Sequence, residues 1–230
     1  MPIDRRSSVA AAVALAALIG LLAAAPSHAA TFFVDSLGDS GPETLRQAIL
    51  DANGSPGPDT ILFGAGLSGT ILLSGPLPPV LESLSIIGPA AIALVVNAQQ
   101  NGFHFEFRGP DGSEYALQGL TLTGGLPTGG GGGSIRVVRG ELTLEGMVLS
   151  GNATSDDAIG GAVFGAPDTT IFVRRSTLSQ NSAASGGAVF GATVLIDQST
   201  LHDNHAGRGG GVYGSQELRI QESTISGNTA

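Results

Sequence analysis

The chain has 230 residues, 42% of them hydrophobic, with 36 glycines, no cysteine, no tryptophan and a formal net charge of −9. The absence of cysteine excludes a disulfide framework and a lipoprotein anchor. The basic residues are all arginines and are scattered, so the chain offers no basic surface for nucleic acid. Glycine without a three-residue period excludes collagen, and the composition favours one elongated β domain.

Residues 1–29 have the pattern of a secretory signal peptide. Two arginines precede an apolar run over residues 9–25, and small residues follow it. Cleavage after Ala29 places Ser27 and Ala29 at the two positions that require small residues, so the mature chain is expected to start at Ala30. An uncleaved anchor is the alternative, but a spanning helix needs about 20 strongly apolar residues. We expect a secreted protein, at the cell surface or free, with no transmembrane segment in its mature part.

The next segment, residues 30–88, predicts an N-terminal cap and the first coils of a solenoid. Gly41-Pro42 is expected to open a short helix that ends at Asn53-Gly54. Its apolar residues recur on one face, as in an amphipathic helix; they are Leu45, Ala48, Ile49 and Ala52. Such a helix can cover the open apolar end of the first coil.

The same segment resembles the CSLREA domain, a module that opens bacterial exported β-helices. The resemblance lies in Leu45-Arg46-Gln47-Ala48-Ile49 and in the downstream Asp59-Thr60-Ile61. Glu43-Thr44 stands where the family name has Cys-Ser. The resemblance implies export and a β-helical fold, and it implies no reaction.

Residues 89–230 contain an internal repeat. One phrase, of the type Thr-Leu-Ser-x-Asn, recurs four times and ends at Asn152, Asn181, Asn204 and Asn228. The spacings are 29, 23 and 24 residues, and a period of this size indicates a solenoid. A fainter fifth copy places Gly125 at the asparagine position.

Each repeat predicts three short strands. A Gly-Gly-x-Val phrase follows the asparagine at residues 160–163, 186–189 and 209–212, and a further apolar strand follows that. Three strands per period describe an all-β, right-handed parallel β-helix with coils of about 23–29 residues. The glycine pairs are expected at corners where a Cβ would clash with the adjacent coils.

Stacked coils assign structural roles to the repeated residues. The leucines before the asparagines are expected to form one internal row, and the valines after the glycine pairs another. The four asparagines are expected to turn an inward corner in the left-handed conformation and to bond each other as a ladder. A leucine-rich repeat is the alternative solenoid, but Ser176, Ser199 and Ser223 stand where it uses leucine, and the glycine runs oppose its helix.

The repeat resembles those of polymorphic outer-membrane proteins, which pair Phe-x-x-Asn with Gly-Gly-Ala-Ile. This chain uses Leu or Ile in place of the Phe. The resemblance implies surface exposure. Because Ser226–Ala230 ends just past a corner, without a closing strand, we expect the last coil to be incomplete and the chain to be a fragment or a truncated gene product.

No residues specify a catalytic site, a metal site or a cofactor. Asp156 and Asp157 are the best candidate acids, because they lie in a lengthened turn of eight residues from Asn152 to Gly160, and pectin-degrading enzymes share this fold. Adjacent carboxylates rarely provide the fixed separation that hydrolysis needs. His202 and His205 lack a supporting carboxylate set for a metal.

The sequence therefore predicts a non-catalytic extracellular scaffold, adhesin-like or glycan-binding, with a polysaccharide lyase or hydrolase as the alternative. Repeated Ser, Thr and Asn on one long face suit weak multivalent contact with glycans or host surfaces.

Overall fold

The structure, a computed structural model, describes residues 28–155 and 157–230. Nearly all of the predicted signal peptide, and Asp156, lie outside these residues. The elements in chain order are β1 (Thr31–Val34), α1 (Leu45–Asn53), β2 (Asp59–Phe63), β3 (Gly69–Leu72), β4 (Leu84–Ile87), β5 (Leu94–Asn97), β6 (Phe105–Phe107), β7 (Glu114–Gln118), β8 (Thr121–Thr123), β9 (Ile135–Val137), β10 (Glu141–Glu145), β11 (Val148–Ser150), β12 (Val163–Gly165), β13 (Thr170–Arg174), β14 (Thr177–Ser179), β15 (Ser182–Ser185), β16 (Val189–Asp197), β17 (Thr200–His202), β18 (His205–Arg208), β19 (Val212–Gln221) and β20 (Thr224–Ser226).

All strand pairs among these elements are parallel, and they form three long faces. Face A contains β1, β2, β4, β7, β10, β13 and the second halves of β16 and β19. Face B contains β3, β5, β8, β11, β14, β17 and β20. Face C contains β6, β9, β12 and the first halves of β16 and β19. From β4 onward the strands follow faces A, B and C in turn, and a further short parallel pair, β15 and β18, lies between B and C. This order confirms the predicted parallel β-helix, with about eight turns.

The core is one continuous apolar column inside the three faces. On face B, Leu149, Leu178 and Leu201 are in register and fully buried. On face C, Val163 and Val189 form a second buried row. Each row consists of residues about one period apart in sequence, so every coil buries its apolar surface against its neighbours rather than within itself.

Helix α1 closes the N-terminal end of this core. It begins at Leu45 and not at the predicted Gly41-Pro42, because Thr44 is its N-cap and accepts a hydrogen bond from the Gln47 amide. The prediction at the other end is confirmed, since the Gly54 amide donates to the carbonyls of Leu50 and Asp51. The four predicted apolar residues are all buried and belong to the same core as β1 and β2.

Arg46 ties α1 to two loops. Its guanidinium donates to the Asp39 carboxylate at 2.6 Å and to the carbonyls of Gly75 and Pro76 at 3.0 and 2.6 Å. Burial alone raises the pKa of Asp39, but hydrogen bonds from Ser74 and Arg46 outweigh it and place this pKa below its ordinary value. In the Leu-Arg-Gln-Ala-Ile motif, the arginine therefore holds α1 against two loops, and the apolar residues pack in the core.

The Gly-Gly pairs form the corner between faces B and C, as predicted. A Cβ at Gly161 would overlap the carbonyl oxygen of Gly187 in the next coil, and one at Gly187 would overlap that of Gly210. These neighbours are backbone atoms, which cannot move without disturbing the ladder.

We expect Gly161→Ala to destabilise the protein by more than about 3 kcal/mol, because the added methyl displaces the backbone of the next coil. Gly129→Ala is the matched control, since a Cβ there meets nothing within 4 Å, and its effect should stay within about 1 kcal/mol. Denaturant unfolding monitored by circular dichroism measures both. Equal unfolding midpoints for the two variants would contradict this account of the corner.

Candidate functional site

The repeated asparagines line the corner between faces B and C with their side chains inside. Asn181 accepts hydrogen bonds from the backbone amide and the side-chain amide of Asn152, at 3.0 and 3.1 Å. It donates to the Leu149 carbonyl and to Asn204 Oδ1, both at 3.0 Å. Asn204 and Asn228 repeat this arrangement. The four asparagines thus form a ladder in which each side chain provides hydrogen-bond partners for groups of the preceding coil.

The predicted backbone reason for asparagine at this corner is wrong. The left-handed conformation belongs to the residue before each asparagine, with φ between 55° and 63°; these residues are Gly151, Gln180, Asp203 and Gly227. Asparagine is required here for its amide, because a buried carbonyl and a buried amide of the flanking coils depend on it.

A histidine continues the ladder where the repeat has glycine. The Gly125 amide still donates to Asn152 Oδ1 at 2.9 Å, but Gly125 has no side chain to reach the Val96 carbonyl. His104 is fully buried, and its Nε2 lies 3.0 Å from the Val96 oxygen and 3.1 Å from that of Thr123. Its Nδ1 lies 3.0 Å from Ser134 Oγ. The imidazole therefore carries its proton on Nε2 and accepts from the serine hydroxyl.

A second ladder, which the sequence analysis did not identify, lines the corner between faces A and B. Ser176 Oγ accepts from the Met147 amide, Ser199 Oγ from the Ser176 amide, and Ser223 Oγ from the Ser199 amide, at 3.0 to 3.1 Å. The signal was present in the sequence, because these serines recur at the repeat spacing. Both ladders are structural, and their members before the last coil are buried; these are Asn152, Asn181, Asn204, Ser176 and Ser199.

The outer side of face B carries two columns of small polar residues. Successive coils are in register, so one column continues from Thr177 through Thr200 to Thr224, and the other lies two residues further along each strand. Coils are spaced at about 4.8 Å and the columns at about 6.6 Å. We call the hydroxyl-bearing residues of this surface the hydroxyl face; they are Thr121, Thr123, Ser150, Thr177, Ser179, Thr200, Thr224 and Ser226. Val148 interrupts the first column and His202 interrupts the second.

Most of these hydroxyls have no partner within the protein. Thr121 donates to the Ala91 carbonyl at 2.7 Å, whereas the other hydroxyls of this face bond no group among residues 28–155 and 157–230. None of these unpaired hydroxyl oxygens is completely buried, since each remains accessible to solvent. The two columns also contain no aspartate, glutamate or arginine. His202, in the second column, bonds the Asp203 carboxylate at 2.9 Å, and Ser179 is 8% exposed. The other hydroxyls of this face belong to uncharged side chains that an external partner can reach.

The outer edge of face A, in contrast, is acidic. Adjoining hollows run along the corner between faces C and A, and Glu114 and Glu141 each line two of them. These glutamates are in register on neighbouring strands. Asp111 and Asp168 line the same edge, where the cation is Arg139, 3.6 Å from Asp111. We call these four acidic residues the acidic groove; its charge repels polyanions.

Face C carries an aromatic stack that does not form a platform for a ligand. The rings of Phe164, Phe190 and Tyr213 lie above one another, with centroids 6.1 and 5.2 Å apart. Each ring covers a face of its neighbour, so the planar surfaces that could pack on a sugar are mostly occupied. A Cβ at Gly131 would also touch the Phe164 ring, which shows that the glycine-rich loop covers this end of the stack.

Of the two candidate acids, the structure describes Asp157 alone. Asp157 is exposed in the loop between Asn152 and Gly160, on a different corner from the acidic groove. Asp197 lies on face A, and Asp203 lies on the corner after face B, where it bonds His202 at 2.9 Å. His205 bonds the Thr229 hydroxyl at 2.8 Å. Among the residues that the structure describes, no three acidic, histidine or cysteine side chains are grouped as a metal site.

Comparison with protein-family models, with curated proteins and with solved structures gives no match. In the described part of the chain, no helix has the length and apolar character needed to cross a bilayer. The resemblances to the CSLREA domain and to polymorphic outer-membrane proteins accordingly stay predictions.

We expect Asn181→Ala to destabilise the protein by about 3 kcal/mol, because it leaves the buried Asn152 amide and Leu149 carbonyl of the preceding coil without their partner. Asn228→Ala is the matched control, since Asn228 makes the same bonds to the coil before it but is partly exposed, so that water can replace them. Its loss should be less than half as large. Urea unfolding measures the loss of stability in both variants. Equal losses would contradict the view that the stability of the central coils depends on the ladder.

His104 should make stability depend on pH. Burial lowers the pKa of His104 to about 4, against 6.5 ordinarily. The unfolded chain therefore binds more protons between these values, and stability present above pH 6.5 is lost as pH falls toward 4. We expect a loss of about 2 kcal/mol between pH 7 and pH 5. Urea unfolding at both values, with His104→Gln as control, measures this loss, and an unchanged slope in the variant would contradict it.

Proposed function

We propose that this protein is a non-catalytic exported scaffold whose hydroxyl face binds neutral glycans at several coils at once. The observation that carries the proposal is the hydroxyl face, in which every coil from β8 to β20 presents at least one hydroxyl and, Thr121 excepted, these hydroxyls have no partner among the described residues. A hydroxyl both donates and accepts, as the hydroxyls of a sugar do, so each coil can exchange hydrogen bonds with one unit of a chain-like ligand.

Weak contacts suffice because the array is long. One hydroxyl contact contributes about 0.5–1.5 kcal/mol after water is displaced. The coils from β8 to β20 span about 19 Å at the coil spacing, so an extended oligosaccharide can engage several of them together. Once the first contact has formed, the later ones are intramolecular, and the total affinity exceeds that of any single coil.

The charge distribution favours neutral glycans over acidic ones. The chain has a net charge of −9, and the acidic groove adds a local negative potential on face A. A pectin-like polyanion would be repelled by both. The predicted signal peptide and the family resemblances support export and surface exposure, where extracellular glycans or host surfaces are the available partners.

The test removes hydroxyl groups from face B without changing the shape of the side chains. The triple variant Thr177→Val, Thr200→Val and Thr224→Val is isosteric and retains β-branched residues on the outer side of face B. We expect its affinity for neutral polysaccharides to fall at least tenfold, which corresponds to about 1.4 kcal/mol. Glycan arrays identify the ligand, and titration calorimetry measures the loss.

The matched control is the triple variant Thr143→Val, Thr170→Val and Thr193→Val. It makes the same chemical change on the outer side of face A, where these threonines are likewise partly exposed. Its affinity should equal that of the unchanged protein. If the affinity falls in this control and not in the face B variant, the ligand binds at the acidic groove and the proposal is contradicted.

An enzyme is the competing function, and the same preparation tests it. We expect no unsaturated products and no new reducing ends when the protein is incubated with pectins and calcium. Turnover abolished by Asp157→Ala would overturn the scaffold proposal, because it would give the exposed loop after Asn152 a catalytic role.

A further inference from the structure

Asp59, the first residue of β2, is a buried acid with an incomplete set of partners. It is 3% exposed. Its Oδ1 accepts a hydrogen bond from the Ala30 backbone nitrogen at 2.7 Å. Its Oδ2 has no partner, and it is the one buried side-chain atom of residues 28–155 and 157–230 in that condition.

A carboxylate in this position needs a cation. Removing an ionised acid from water is costly unless it is paired and hydrogen-bonded. The hollows beside Asp59 are lined by Glu82 and Glu114, and no arginine lines them. The side chains that line these hollows therefore add negative charge and include no arginine as a counterion.

We propose that the counterion is the α-ammonium group of Ala30, created when the signal peptide is removed after Ala29. A signal peptidase adds water across the Ala29–Ala30 peptide bond: the hydroxyl joins the Ala29 carbonyl carbon and a hydrogen joins the Ala30 nitrogen. At neutral pH the new carboxylic acid releases its proton and the new amine binds one. The nitrogen that donates one hydrogen to Asp59 before cleavage then carries three hydrogens and a positive charge.

The backbone fixes this nitrogen in place. The Ala30 carbonyl accepts from the Thr60 amide at 2.9 Å, and the following residue, Thr31, is in register with Thr60. A mature chain starting one residue earlier or later would carry its ammonium about 3.8 Å away, the distance between consecutive Cα atoms. Cleavage after Ala29 is thus the position that supplies Asp59 with a charge at contact distance.

This inference goes beyond glycan binding and is independent of it. It assigns Asp59 as a processing-dependent anchor that pins β1 to β2 once the chain is released. In the precursor, the same carboxylate has a single hydrogen bond from a neutral amide. The processed chain is accordingly the more stable form.

The experiment compares two exported products. The first is the processed chain, whose N-terminal residue is expected to be Ala30 by mass spectrometry. The second comes from the same full-length chain with one alanine inserted between Ala29 and Ala30, so that the ammonium is displaced by one residue. Asp59→Asn is made in both; it keeps the size and the Oδ1 acceptor and removes the charge.

We expect Asp59→Asn to lower the melting temperature of the Ala30 product by roughly 5–10 °C and to leave that of the extended product unchanged or raised. Equal shifts in the two products, or a mature chain that starts at another residue, would overturn the proposal. If Asp59→Asn does not fold, acetylation of the Ala30 amine in the unchanged chain gives the second measurement. Acetylation should lower the melting temperature by a similar amount, and an unchanged melting temperature would also overturn the proposal.

Discussion

Every coil of this solenoid obtains the partners for its backbone and for its inward polar groups from the coils before and after it. Parallel pairing in register, with one irregularity between Gly191 and Thr193, is the constraint behind this dependence. It places chemically equal atoms about 4.8 Å apart along the axis, so a residue that satisfies one corner satisfies the next when it recurs. The leucine rows, the asparagine ladder and the serine ladder are consequences of this single geometric rule.

The same rule explains how much of the fold could be predicted from the sequence. The regular coils could be predicted, because an asparagine or a Gly-Gly pair that recurs at the coil length indicates a corner of a solenoid. The helix boundary was predicted less well, since Thr44 as a cap and Pro42 as an opener are both local signals and only the packing decides between them.

The contacts that could not be predicted lie where the repeat is imperfect. His104 takes the role of an asparagine from a different place in its coil, and Asp59 reaches a backbone nitrogen 29 residues earlier. Neither residue recurs, so no periodic pattern reveals its partner. The acidic groove was missed for a related reason, because Glu114 and Glu141 become neighbours only once the strand register is known.

The direction of the asparagine ladder has a further consequence. Between asparagines, the hydrogen bonds run in one direction: Asn152, Asn181 and Asn204 each donate to the side-chain oxygen of the asparagine in the following coil. The amide dipoles are therefore aligned head to tail along the axis, and in a buried row each hydrogen bond polarises the next. The energy of such a row belongs to the whole series rather than to its separate members. A defect in one coil is therefore felt electrostatically in coils whose own residues are unchanged.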